Sequence, residues 1–139
     1  MITLDASVVI AHLAPDDPHH DAASGLLSAA AAEDLVMHSL NLAEVLVGGV
    51  RVGRGQEMLE DLQAIGVRVA KRPDGEALRL AHLRVASGLK LPDCCALDTA
   101  LSTGSTLASV DQGLATAARA FHLRVLPDLG RPEVGLPSR

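Results

Sequence analysis

Short apolar runs alternate along this chain with longer stretches in which apolar residues recur every three or four positions. The short runs read as strands: Ile2–Leu4, Leu35–Met37, Val67–Val69, Thr106–Val110 and Leu123–Leu126. The longer stretches predict helices over Ala6–Leu13, His19–Ala32, a segment capped by Ser39 that runs through Glu44 to about Val50, and Gln56–Ala64. Further helices are expected over Gly75–Ser87, capped by Asp74, then Asp93–Ser102 and Gln112–Phe121. Breakers fall where the pattern changes, at Ala14-Pro15-Asp16-Asp17-Pro18, Val52-Gly53-Arg54-Gly55, Gly66 and Gly88. Met58, Leu59 and Leu62 should face inward, and Leu78, Ala81, Leu83 and Val85 should form the apolar side of their helix. Strands that alternate with helices mean a parallel sheet with right-handed crossovers. The expectation is therefore a single α/β domain over 1–128, with a central, mostly parallel sheet of about five strands flanked by helices. Residues 129–139 hold further breakers and should form a loosely ordered C-terminal tail.

Bulk properties narrow the function classes. A length of 139 residues with 48% hydrophobic content is one globular domain with a real core. Mean hydropathy is +0.26, apolar for a small domain. No apolar run approaches the roughly 20 residues of a membrane span. A buried sheet plus an apolar patch covered by a partner accounts for the excess. An acid at position 5 and no basic segment before the first apolar run argue against a signal peptide and for the cytoplasm. The net charge of −5 argues against broad, non-specific nucleic-acid binding, although ten of the twelve basic residues are Arg, the better type for phosphate forks. Phe121 is the only aromatic residue, so base-stacking modules are excluded and any nucleic acid would be held by its backbone and by metal. Cys94 and Cys95 are adjacent, which rules out an ordinary disulfide between them and a zinc ribbon, and reads as two buried thiols in a reducing compartment.

The candidate chemistry lies in four carboxylates. Asp5 closes the first strand and Asp111 the fourth, and open parallel sheets bind ligands beyond such carboxyl ends. Asp93 starts the helix that feeds the fourth strand, and Glu44 lies about one and a half turns into its own helix, facing the same edge. One pocket could take all four. Gathered carboxylates are how a protein holds Mg²⁺ or Mn²⁺ for phosphoryl chemistry. Ser7 and Ser109, each two residues from a site acid, could orient a carboxylate or a metal-bound water.

Blander roles stand beside these. Asp5 could be an N-cap, and Asp93 and Asp111 could be partners of helix dipoles. Glu44 has the weakest such reading, because Leu42, Ala43, Val45 and Leu46 are poor company for a solvated charge. Asp98 lies five residues after Asp93, about 140° around an ideal helix, and should be peripheral. His19-His20-Asp21 reads as a surface helix start. No P-loop or Gly-x-Ser-x-Gly motif is present.

Four segments carry a family resemblance: Leu4-Asp5-Ala6-Ser7-Val8-Val9-Ile10, Asn41-Leu42-Ala43-Glu44-Val45-Leu46-Val47-Gly48, Leu91-Pro92-Asp93-Cys94-Cys95-Ala96-Leu97 and Ala108-Ser109-Val110-Asp111. In this order and spacing the chain resembles the PIN-domain family, and within it the VapC-type toxins of bacterial toxin–antitoxin pairs. The resemblance implies a Mg²⁺- or Mn²⁺-dependent endoribonuclease that cuts single-stranded or loop RNA and inhibits translation. It implies Asp5 and Asp93 as main metal ligands, completed by Glu44 and Asp111, with a VapB-like antitoxin as partner and a homodimer as the usual assembly. Toxins of this family often carry a small residue where Asp98 stands and Thr where Ser109 stands. Arg51, Arg54, Arg84 and Lys90 are candidates for RNA phosphates. The reading from another class is a catalytically silent PIN-like module that binds RNA or protein.

Overall fold

Five short strands, none longer than three residues, hold the centre of the molecule. In the computed structural model, which describes residues 1–128, the elements are β1 (Ile2–Leu4), α1 (Ala6–Leu13), α2 (His20–Ala29), β2 (Leu35–Met37), α3 (Ser39–Arg51), α4 (Gly55–Ala64), β3 (Val67–Val69), α5 (Glu76–Ser87), α6 (Leu91–Thr103), β4 (Thr106–Ala108), α7 (Gln112–Ala120) and β5 (Val125–Leu126). The sheet has the order β3-β2-β1-β4-β5 and every pairing is parallel. The chain winds outward from β1 to β3 on one side, then returns to place β4 on the other flank of β1. The order therefore reverses between β1 and β4, the position at which such sheets open a crevice at their carboxyl edge. The expected tail, 129–139, lies outside the described residues.

Strands β1, β2 and β4 carry little polarity because both their faces are covered, while edge strand β3 exposes Arg68 and Val69. One core unites Leu4, Val8, Val9, Leu35, Met37, Leu42 and Val45 with α2 and α4. The other unites Leu83, Leu97, Ala100, Leu107, Leu114 and Val125 beneath α5, α6 and α7. At Gly49 a Cβ would meet the Met58 thioether at 3.1 Å, so this glycine lets α3 lie close on α4.

Several boundaries differ from the pattern-based expectation, each for a local reason. Helix α3 is capped by His38 and not by Ser39: the imidazole Nδ1 accepts the Leu40 amide proton at 3.1 Å, and Ser39 is already helical. Helix α5 follows Gly75, whose φ of +81° suits glycine, and not an Asp74 cap. Helix α6 begins two residues before Asp93, with Pro92 in the first turn where its missing N–H is no loss. Strand β4 stops at Ala108 because the next free amides turn to hydroxyls: Val110 donates to Ser7 and Asp111 to Ser109. Strand β5 starts only at Val125, since the Leu123 amide closes the end of α7 on the Ala118 carbonyl. On α5 the inward residues are Leu80 and Leu83, while Leu78, Ala81 and Val85 are exposed. Two apolar stripes compete on that helix, and the stripe that shares its face with Arg79 packs on α6.

Candidate metal centre

The carboxyl edge between β1 and β4 gathers the first two acids. Leu4 pairs with Ala108, and the Asp5 amide donates to the Ala108 carbonyl at 2.9 Å, so Asp5 and Ser109 leave the sheet side by side. Asp5 is buried, at 4% exposure. Its Oδ2 accepts from the Ser7 hydroxyl at 2.6 Å and from the Ser109 hydroxyl at 2.9 Å. Each hydroxyl oxygen in turn accepts a backbone amide, Val110 for Ser7 and Asp111 for Ser109. With both protons given to Asp5, the 3.3 Å approach of the two hydroxyls to each other is a contact within this network. The loop after β1 and the loop after β4 are thereby tied together at the carboxylate. Burial raises the Asp5 pKa, and the two hydroxyls pull it back.

Asp5 stands at the N-cap position of α1, but its side chain makes no cap bond. Asp111 does cap its helix: Oδ1 accepts from the Leu114 amide at 3.0 Å. Asp93 sits half-buried in the first turn of α6. Its pKa is pushed up to about 6, first by burial and then by the negative charges of Asp111, Asp5 and Glu44, while Lys90 draws it back. All four acids thus act on one place. Glu44 belongs to it for a reason other than the one its neighbours suggested. It is exposed, not enclosed by apolar residues. On α3 the core takes Leu42 and Val45 and leaves Ala43, Glu44 and Val47 outside.

Asn41, singled out by no sequence argument, joins the site. It is fully buried, and its Nδ2 donates to Glu44 Oε1 at 3.1 Å and to the Pro92 carbonyl at 3.0 Å. Its place three residues before Glu44 was the available signal, since side chains at that spacing meet on a helix.

Asp98 points elsewhere. At 5% exposure it takes a two-pronged bond from Arg79, with Nε at 2.9 Å and Nη2 at 3.2 Å, across the α5–α6 contact. Among the basic candidates, Arg54 pairs with Glu57 and Arg84 donates to the Leu89 carbonyl at the end of α5. Arg51 is exposed in the last turn of α3. Lys90, exposed before α6, is the basic group whose charge reaches Asp93.

The donor set of the four acids is all oxygen and carries concentrated negative charge, which suits a hard divalent cation. Its oxygens are spread: among the described residues the trio whose ligand atoms lie within 4.8 Å of one another is a different one, His38, Glu76 and Cys95. That trio is poorly prepared for metal. His38 Nδ1 is an acceptor, so the proton of the neutral ring sits on Nε2, which faces Glu76 at 2.8 Å. The Cys95 thiol is pushed up to about 11 by burial.

The PIN-domain family profile matches residues 2–120. The chain belongs to the PIN-domain family. No curated protein matches it. Solved structures that share this PIN fold include FitAcB from Neisseria gonorrhoeae, at 22% identity and TM-score 0.65, covering 91% of this chain and 97% of that one. VapBC-1 from nontypeable Haemophilus influenzae aligns at 17% identity and TM-score 0.65, over 90% and 96% of the two chains. VapBC2 from Rickettsia felis, solved bound to a DNA fragment from its promoter, aligns at 16% identity and TM-score 0.62, over 90% and 97%. Among the described residues this PIN domain has no helix long and apolar enough to cross a membrane.

Proposed function

We propose that this PIN domain is a divalent-metal-dependent endoribonuclease and the toxin of a toxin–antitoxin pair. The observation that carries the reading is that Asp111, Asp5 and Glu44 all bear on a half-buried Asp93, whose pKa is pushed up to about 6, first by burial and then by their charges. Structural acids are usually paired with cations, whereas these act on one another as like charges at a ligand-binding edge. Asp5 and Asp93 are the main candidates to hold Mg²⁺ or Mn²⁺, with Glu44 and Asp111 completing the site. When bound, the cation supplies a polarised phosphoryl oxygen and a water of lowered pKa. Ser7 and Ser109 fix the Asp5 carboxylate through Oδ2, and so orient the group that would hold the cation. Asp111 Oδ1 serves α7, which leaves Oδ2. Lys90 and Arg51, both exposed, would meet RNA phosphates, whereas Arg54 and Arg84 are already engaged by Glu57 and by the Leu89 carbonyl.

The partner is a VapB-like antitoxin. A cavity of about 230 Å³ between α1, α3 and α4 joins apolar Leu13, Val52 and Met58 to charged Arg54, Glu57 and Asp61, which supports an amphipathic docking segment, and Leu13 and Val52 are exposed there. A homodimer is the expected assembly. The deciding experiment is cleavage of total cellular RNA by purified protein in Mg²⁺ or Mn²⁺ against EDTA, beside Asp93→Asn. Metal-dependent cutting that the variant lacks is the expected result. No cutting by antitoxin-free, metal-loaded protein would overturn the nuclease reading in favour of a silent binding module.

A further inference from the structure

We propose that Asn41 is a positioning residue that sets the spacing of Glu44 and Asp93 before any cation arrives. The inference rests on the reading of the four acids as a metal centre. Both amide hydrogens of Asn41 are in use, one on Glu44 Oε1 at 3.1 Å and one on the Pro92 carbonyl at 3.0 Å. That carbonyl belongs to the peptide bond whose nitrogen is the Asp93 amide. A single side chain therefore grips one carboxylate directly and the backbone of the other. It does so across two helices, α3 and α6, that reach the site from different parts of the chain.

The chemistry leaves one orientation of the amide. Asn41 Oδ1 is buried and has no hydrogen-bond partner among the described residues. Turning the amide over would set this oxygen against two acceptors and leave the NH₂ unpaired, so the donor-inward placement is required. A buried orphan acceptor is unfavourable, and its retention shows how fully the site uses the two donors. The grip also works against a real force. Glu44 is one of the charges that raise the Asp93 pKa, so the two carboxylates repel. Without Asn41 the start of α6 and the Glu44 side chain can separate, and a cation must then draw them together at the expense of its own binding.

A purely structural tie would weaken folding without changing cation affinity in the folded protein. The test is therefore Mn²⁺ binding by calorimetry on the full chain, with thermal unfolding as the control. Asn41→Ala should bind Mn²⁺ about 10- to 100-fold more weakly than the wild type, the range usual for groups that orient metal ligands. Asn41→Ser, which keeps one donor hydrogen, should fall between. RNA cleavage by Asn41→Ala should recover at high Mn²⁺, as expected when affinity and not the chemical step is lost. Wild-type Mn²⁺ affinity in folded Asn41→Ala overturns the proposal. If that variant does not fold, wild-type affinity in Asn41→Ser does the same. A wild-type chain that binds no Mn²⁺ overturns the metal-centre reading itself, and is told apart because it appears without any substitution.

Discussion

Asp93 concentrates the electrostatics of this molecule in one group. Its pKa rises from 3.8 to about 6, so between about pH 4 and pH 6 the folded chain holds a proton that the unfolded chain has lost. Stability of the metal-free protein should therefore fall as pH rises through that window and level off above it. Asp93→Asn removes a charge that three others oppose. It should raise the melting temperature at pH 7.5 by about 2–5 °C, discounted for the half-exposure of the group, with the gain vanishing near pH 4. A melting temperature lowered at pH 7.5 would mean that Asp93 is paired and not repelled. At the same scale the sequence was readable in part. The four acids stand out by type and position, but the apolar neighbours of Glu44 do not enclose it. Residues adjacent in sequence are about 100° apart on a helix, so Leu42 and Val45 can be inside while Glu44 is outside. The spacing of Asn41 to Glu44 was legible in the sequence, but its bond to the Pro92 carbonyl exists only once α6 lies across α3.

At the scale of elements, α5 and α6 are held by apolar contact and by one ion pair. Asp98 is buried and Arg79 is its cation, with Nη1 of the same guanidinium donating to the Asp74 carbonyl at 2.6 Å. Arg79→Ala would leave a buried carboxylate unpaired and should cost about 2–4 kcal/mol in urea unfolding. It should leave Mn²⁺ affinity unchanged, because Asp98 faces α5 and not the metal centre. A loss of affinity matching that of Asp93→Asn would place Asp98 in the site. The divergence of Asp93 and Asp98 was visible from their spacing alone, since helical periodicity is local. The partner was not, because Arg79 lies nineteen residues away and only the packing of α5 on α6 brings it close. The same packing buries Leu83 beside Leu80 and exposes Leu78, Ala81 and Val85, which the pattern of α5 had put on the apolar side with Leu83.

At the scale of the whole molecule, Cys94 and Cys95 report on cooperative opening. Both are buried in α6, and burial raises both thiols, Cys95 to about 11. Alkylation should be negligible in the native state and follow global unfolding, with both thiols labelled together. A cation held by the four acids stabilises the folded state, so Mn²⁺ at 100 times its Kd should slow labelling about 100-fold, reversibly with EDTA and not in Asp93→Asn. Labelling unaffected by Mn²⁺ in the wild type would count against a metal centre.

The sequence by itself determined the alternation of strands and helices, hence a parallel α/β sheet, and it marked the strand-end acids and the PIN resemblance. These depend on periodicity and residue type, which act over one element at a time. Only the tertiary structure decided the strand order, the caps of α3 and α5, the serine network around Asp5, and the bridge from Asn41 to Glu44 and the Asp93 peptide. Each needs partners far apart in the chain: Ser109 lies 104 residues from Asp5, and Pro92 lies 51 from Asn41. Such bonds form only once the apolar faces have been buried, and no local pattern records them.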